Sequence, residues 1–360
     1  MNAVLKRVYL RENLAILSSA WKNHGFRALR PIFRAKWNQL FEPLKPSQLP
    51  VILHMETTSR CNLRCPSCIH AEKLGVGTDM DFDMFKTFID QFEFVAKLIL
   101  YGIGEPTMLK DLFRMVQYAK SKGIYCGFFT NGTLLTERMR EEILSNGQDY
   151  LNISIDGPTK ESFEVQRAGA NFEKVIANVK ALTALIRERK SLLQVTIYNC
   201  LTSANMHELP ALVQLTADLG VSKLVVQDIM FWGSQGIEKA FESKTIDLER
   251  TRRNQFYEEA RLAAKRLGVN LEAQISAGDG KRRCQLPWFF SYITADGLAT
   301  PCNWHGWDGK FNFGSTRDRP FADIWDSQDY RAFRQEMKNS VPPAFCEKCP
   351  MYDRKMIRLA

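Results

Sequence analysis

At 360 residues, 45% of them hydrophobic and 25% charged, the chain has a globular composition, which excludes a disordered or collagen-like protein. Its formal charge of +9 invites a nucleic-acid reading, but residues 1–48 carry nine cations against two anions. That places +7 on this segment and only +2 on the other 312 residues, a balance that argues against nucleic acid as a partner. No run of 18 apolar residues and no secretory h-region is present, so a cytoplasmic protein is expected, and its nine cysteines read as ligands or reactive thiols before disulfides.

In chain order, residues 1–48 form a basic arm. Phe26, Leu29, Phe33, Trp37 and Leu40 recur at steps of three and four, flanked by Arg27, Arg34 and Lys36, and Pro31 begins or kinks the helix. Two roles stay open for that stripe: packing against the body of the protein, or peripheral contact with an anionic membrane.

After the arm, short apolar runs alternate with longer helical patterns. Strands are expected near 51–57, 97–102, 125–130, 150–155, 192–200 and 223–229, with helices near 82–92, 111–122, 136–146, 172–189, 205–219 and 247–267, several opened by Asp, Asn or Thr caps. Six βα units predict an α/β fold with a parallel sheet, over residues 49–275. In such a fold the segments following the strands converge on one end, so residues ending different strands share one site. Cys61, Cys65 and Cys68 follow the first strand, Gly102-Ile103-Gly104-Glu105-Pro106 the second and Asn131-Gly132 the third. Ser154 and Asp156 end the fourth, and Asp228 lies at the end of the sixth. Taken singly these are ordinary turn and cap residues. Glu105 reads equally as a helix cap and Arg167 as a solvated charge.

A linker is expected at 276–283, and a small cysteine-rich domain over 276–360. There the run FFSYITADGLATPC predicts a hairpin with a two-residue turn at Asp296-Gly297, placing Cys284 and Cys302 opposite each other across a ladder. Cys346 and Cys349 add a C-x2-C pair, which completes four thiolates; zinc remains open for this set on spacing alone. Cys126 and Cys200 sit inside apolar strands and are expected as buried hydrophobes.

The C-x3-C-x2-C triplet suits a cubane cluster held at three irons, leaving the fourth open to an external ligand. Zinc is the rival and wants a fourth ligand, for which His70 is placed. At this point the stretch Cys61-Asn-Leu-Arg-Cys65-Pro-Ser-Cys68 resembles the radical S-adenosylmethionine (SAM) superfamily. The resemblance implies a partial (β/α)6 TIM-like barrel and a SAM-binding [4Fe-4S] cluster on Cys61, Cys65 and Cys68. It implies SAM contacts from Gly102, Gly104, Glu105, Pro106, Asn131, Ser154, Asp156 and Arg167. The position before the third cysteine is commonly aromatic in the family and touches adenine; here it is Ser67, so that contact is expected elsewhere, at Ile69 or the backbone.

The C-terminal cysteines, with Phe313-Gly314-Ser315, Ile324-Trp325 and Phe333-Arg334, resemble the SPASM auxiliary-cluster extension in the shortened form called twitch. That resemblance implies one auxiliary [4Fe-4S] cluster on Cys284, Cys302, Cys346 and Cys349. Four ligands imply a saturated cluster suited to moving electrons. The expected activity is therefore that of a radical SAM oxidoreductase, in which a 5′-deoxyadenosyl radical takes a substrate hydrogen and the auxiliary cluster accepts an electron. The expected substrate is a small molecule, an alcohol of a sugar- or cyclitol-like compound, with a flavodoxin or ferredoxin as electron donor and Asp228 as candidate base, Glu56 and His54 behind it. The alternatives are a peptide- or protein-modifying maturase, modification of a membrane-held, lipid-linked substrate, and a non-catalytic iron–sulfur or zinc protein.

Overall fold

The computed structural model describes residues 3–68, 70, 77–228, 250–274, 284–306, 311–343 and 346. They form two compact units. The first comprises 1–59, 77–127 and 276–360, the second 60–76 and 128–275.

In the first unit the arm is two helices, α1 (Ala3–His24) and α2 (Leu29–Phe41), joined by a 3-10 turn over Gly25–Ala28. Pro31 is the third residue of α2, inside the first turn, where a missing amide costs nothing. The apolar strand β1 (Ile52–Met55) is buried at all four positions and lies between β2 (Lys97–Leu100) and β8 (Phe290–Ile293), parallel to both. α3 (Phe82–Ile89), capped by Asp81 accepting from the Met84 amide at 2.7 Å, and α4 (Leu112–Ser121) pack nearby through Phe85, Phe88, Met115 and Val116.

The hairpin runs from β8 to β9 (Ala299–Thr300), antiparallel as expected. Its turn is longer than expected. The Thr294 amide donates to the Leu298 carbonyl at 3.0 Å, leaving three residues in the loop, with Gly297 at φ +96. That is the three-residue solution, whose last position needs the left-handed region that glycine takes freely. The sequence pattern gives β8 only its hairpin partner, yet it also pairs in parallel with β1 and is buried at all four positions there, its one polar side chain, Ser291, donating to the Thr300 carbonyl.

β3 (Tyr125–Thr130) runs from the first unit into the second. There β4 (Tyr150–Ser154), β5 (Gln194–Leu201), β6 (Lys223–Asp228) and β7 (Asn270–Gln274) lie parallel in that order. α5 (Glu137–Ser145), α6 (Lys160–Gln166), α7 (Phe172–Glu188), α8 (Leu209–Asp218) and α9 (Arg250–Leu267) alternate with them. Side chains of Thr136, Thr159 and Asn171 cap α5, α6 and α7. β7 is a seventh parallel strand that the sequence pattern does not announce. Its Glu272 is only 5% exposed and pairs with Lys223 at 3.2 Å, so a buried position of the strand carries a charge.

In the C-terminal part of the first unit, α10 (Asn303–Gly306), α11 (Phe321–Trp325) and α12 (Gln328–Lys338) follow the hairpin. Arg334 is fully buried there. Its guanidinium lies 4.2 Å from the Trp325 ring and 4.3 Å from that of Tyr330, and donates to the carbonyls of Pro287, Leu44 and Trp325. Phe313 stacks on Tyr330 at 3.8 Å, so the aromatic segments singled out in the sequence form one packed cluster. The expected linker at 276–283 lies outside the described residues.

Candidate functional site

In the second unit, the three cysteines lie on an irregular loop pinned from several sides. The Arg64 amide donates to the Ala168 carbonyl at 2.9 Å, and the Cys68 amide to the Cys65 carbonyl at 3.0 Å. Asn131 donates to Asn62 Oδ1 at 2.9 Å, Asn62 donates to the Thr133 hydroxyl at 2.8 Å, and that hydroxyl donates to Asn131 Oδ1 at 2.6 Å. This closed ring fastens the cysteine loop to the end of β3. Sequence reasoning placed Asn131 at the site but missed Asn62 and Thr133; the signal was the amide side chain between the first two cysteines.

Arg167 is no solvated charge. It donates from Nε to Asp156 Oδ2 at 2.5 Å, with the two side chains 19% and 5% exposed, and it also hydrogen-bonds Cys65. Asp156 accepts in addition the Cys200 amide at 2.7 Å. Each of its carboxylate oxygens thus has a partner within the protein, and it holds Arg167 beside Cys65. Asn205 supports the same corner, donating to the carbonyls of Asp156 and Cys200, each at 2.9 Å. Cys200 departs from the expected buried hydrophobe: it is partly exposed beside this pair, whereas Cys126 is fully buried. Ser154 ends β4 opposite Tyr198.

The loop suits a cluster. All eight described cysteines are free thiols. Backbone amides of Leu63 and His70 donate to Cys61 Sγ and Cys68 Sγ, each at 3.4 Å, the kind of contact that tunes cluster thiolates. Burial pushes Cys68 up to about 11 and raises Cys65, which the neighbouring Arg167 pulls the other way. Iron binds the ionised thiolates, and the guanidinium near Cys65 offsets part of that charge. Among the described residues no three Cys, His, Asp or Glu side chains converge on a single metal ion. A cubane does not ask for that, since each thiolate takes a separate iron.

In the first unit, Gly102 abuts Glu56 so closely that an added Cβ would lie 2.3 Å from Glu56 Cγ. Glu56 is 4% exposed and accepts the Ile103 amide at 3.0 Å, the Ala295 amide at 3.1 Å and a hydrogen bond from Tyr292. It straps the glycine-rich segment after β2 to the turn after β8, which makes it a brace and not the reserve base the sequence suggested. Glu105, 3% exposed, accepts the Thr107 hydroxyl at 2.6 Å and its amide at 3.2 Å, capping the 3-10 turn Pro106–Met108. His54 is a satisfied core histidine: its Nε2 lies 2.9 Å from the Tyr101 carbonyl, and burial lowers its pKa to about 3.

Of the C-terminal cysteines, Cys284 precedes the turn before β8 and Cys302 follows β9, so they are not ladder partners. Both are partly exposed free thiols of the first unit. Cys346 is buried. Cys349 and Ile69 lie outside the described residues, as does the side chain of Asp228, the last residue of β6.

Residues 55–215 match the Radical SAM superfamily and residues 284–350 the SPASM iron-sulfur cluster-binding domain. A tungsten-containing aldehyde ferredoxin oxidoreductase cofactor-modifying protein of Pyrococcus furiosus is 30% identical over 326 residues, covering 84% of this chain and 87% of that one. The chain belongs to the radical SAM superfamily, in its SPASM branch. An AdoMet-dependent heme synthase of Methanosarcina barkeri is 27% identical, with 83% of this chain and 88% of that protein covered. A PqqA peptide cyclase of Bradyrhizobium diazoefficiens is also 27% identical, at 84% and 79% coverage. The fold is shared with Streptococcus suis SuiB bound to precursor peptide SuiA, at a TM-score of 0.66 and 14% identity over 92% of this chain and 76% of that one. This radical SAM enzyme works with [4Fe-4S] clusters and S-adenosylmethionine.

Proposed function

We propose that this enzyme carries out an oxidative radical modification in the maturation of a peptide or a large cofactor. Cys61, Cys65 and Cys68 hold the SAM-site cluster in this reading, and Cys284, Cys302, Cys346 and Cys349 the auxiliary one. When bound, SAM and the first cluster supply a 5′-deoxyadenosyl radical for hydrogen abstraction, and the second supplies an electron acceptor.

The chain's own residues position the reactants. Arg167, locked by Asp156, offers a guanidinium beside Cys65 for the SAM carboxylate. The Asn131–Asn62–Thr133 ring fixes the cysteine loop, and Ser154 ends the neighbouring strand as a further polar contact. Gly102, Gly104, Glu105 and Pro106 form the segment offered to the SAM amino group, and Glu56 sets its path. A small electron carrier of the flavodoxin or ferredoxin class serves as reductant.

The observation that carries the oxidative reading is the second set of free thiols, Cys284, Cys302 and Cys346, in a segment that matches the SPASM domain. For the substrate, the names of the relatives favour maturation over the sugar- or cyclitol-type alcohol expected from sequence. Replacing Cys284, Cys302, Cys346 and Cys349 by Ala in the reconstituted, anaerobic enzyme is expected to preserve 5′-deoxyadenosine formation while abolishing oxidised product. Undiminished product would remove the electron-acceptor role.

A further inference from the structure

The arm begins before either family match, the first of which starts at residue 55. It docks on its own unit by its small and polar side. Ala28 and Ala35 are 1% exposed, Gln39 and Gln285 exchange hydrogen bonds, and Asn38 Oδ1 accepts the Ser47 amide and hydroxyl, each at 3.1 Å. The Trp288 N–H donates to the Pro43 carbonyl just beyond α2. The other side is apolar and faces solvent: Phe26 is 78% exposed, Phe33 67%, Trp37 48%, Leu40 64% and Phe41 55%. A helix on a globular body ordinarily turns its apolar stripe inward. Here the arrangement is reversed. The exposed rings also pair, Trp37 with Phe41 at 4.0 Å, Phe33 with Trp37 at 6.3 Å, and Trp21 with Phe26 at 5.0 Å across the turn, making two aromatic groups with exposed Leu29 between them in the chain.

Charge indicates what covers it. Between residues 13 and 41 there is no Asp or Glu, whereas Lys22, Arg27, Arg30, Arg34 and Lys36 all fall there. Lys22, Arg27 and Arg30 are exposed. Aromatic rings flanked by cations of one sign match an anionic lipid surface, where tryptophan and phenylalanine enter the headgroup boundary and arginine reaches the phosphates. No helix among the described residues is long and apolar enough to cross a bilayer, so contact is with its surface. We propose that α2 and the adjoining turn are a peripheral membrane anchor that seats this enzyme on anionic phospholipid. The proposal stands on the arm and not on the chemistry assigned above.

The test is co-sedimentation of the full chain with vesicles of phosphatidylcholine alone or mixed with phosphatidylglycerol. Wild type is expected to pellet with the mixed vesicles, about tenfold more weakly with the neutral ones, and to be released by salt. Phe33→Glu/Trp37→Glu and Arg27→Glu/Arg30→Glu/Arg34→Glu are each expected to weaken binding at least about tenfold while keeping the wild-type thermal unfolding curve and 5′-deoxyadenosine formation. Wild type remaining in the supernatant, or variants that bind equally well, would overturn the anchor. So would a dimer in gel filtration that Phe33→Glu/Trp37→Glu dissociates without any vesicle binding by wild type, since the apolar side would then belong to a second copy.

Discussion

Asp156 illustrates how a single carboxylate is used twice. It neutralises Arg167 at 2.5 Å and accepts the Cys200 amide, and through Arg167 it reaches Cys65. Removing one partner of a buried ion pair leaves the other charge unsatisfied, which costs about 3–5 kcal/mol. With Arg167 still 19% exposed, the lower end applies. Asp156→Ala is thus expected to lose about 3 kcal/mol in urea unfolding of the apoprotein, and Asp156→Ala/Arg167→Met to recover a good part of it. A double variant no more stable than the single one would show that the pair is not what holds this corner. The sequence put both residues at the site by resemblance. It gave no sign that they bond each other, because eleven positions separate them and only the packing of the loop after α6 closes the distance.

At the scale of elements, the strand ends hold the chemistry-bearing residues, and their bracing comes from outside each motif. Glu56 follows β1 directly yet governs the segment after β2 and the turn after β8. Gly102 is the point where that bracing is tightest. A methyl group there meets Glu56 Cγ at 2.3 Å, and Glu56 is held by two amides and a tyrosine, so it has no cheap retreat. Gly102→Ala is expected to cost about 2 kcal/mol in stability and to slow 5′-deoxyadenosine formation about tenfold or more, since a displaced segment misplaces its groups. Rates within twofold of wild type would mean the segment does not need this path. The main parallel strands and their helices were legible because periodicity and caps such as Asp81, Thr136 and Asn171 are local properties. β7 was not, because Glu272 breaks the apolar pattern and is tolerated only through Lys223 on the adjacent strand.

For the whole molecule, two cysteine sets imply two centres. Reconstituted wild type is expected to hold about eight irons, four for each cubane. Cys61→Ala/Cys65→Ala/Cys68→Ala should fall to about four and form no 5′-deoxyadenosine, whereas replacing the C-terminal set should fall to about four and still form it. Iron counts unchanged by either set would reject the assignment of ligands. The spacing C-x3-C-x2-C, the C-x2-C pair and the acid-free stretch between residues 13 and 41 are written in the chain and need no fold to be read.

Sequence alone therefore determined the parallel α/β architecture, the cluster chemistry and the basic stripe, because each depends on neighbours a few residues apart. The tertiary structure decided that Arg167 is locked to Asp156 and that β8 joins β1 in parallel. It also decided that the arm shows its aromatic side to solvent and its alanines to the body. Those outcomes follow from how segments pack, over eleven positions for Arg167 and Asp156 and over 246 for Gln39 and Gln285, and amphipathicity reveals that a helix has two sides without revealing which one is covered.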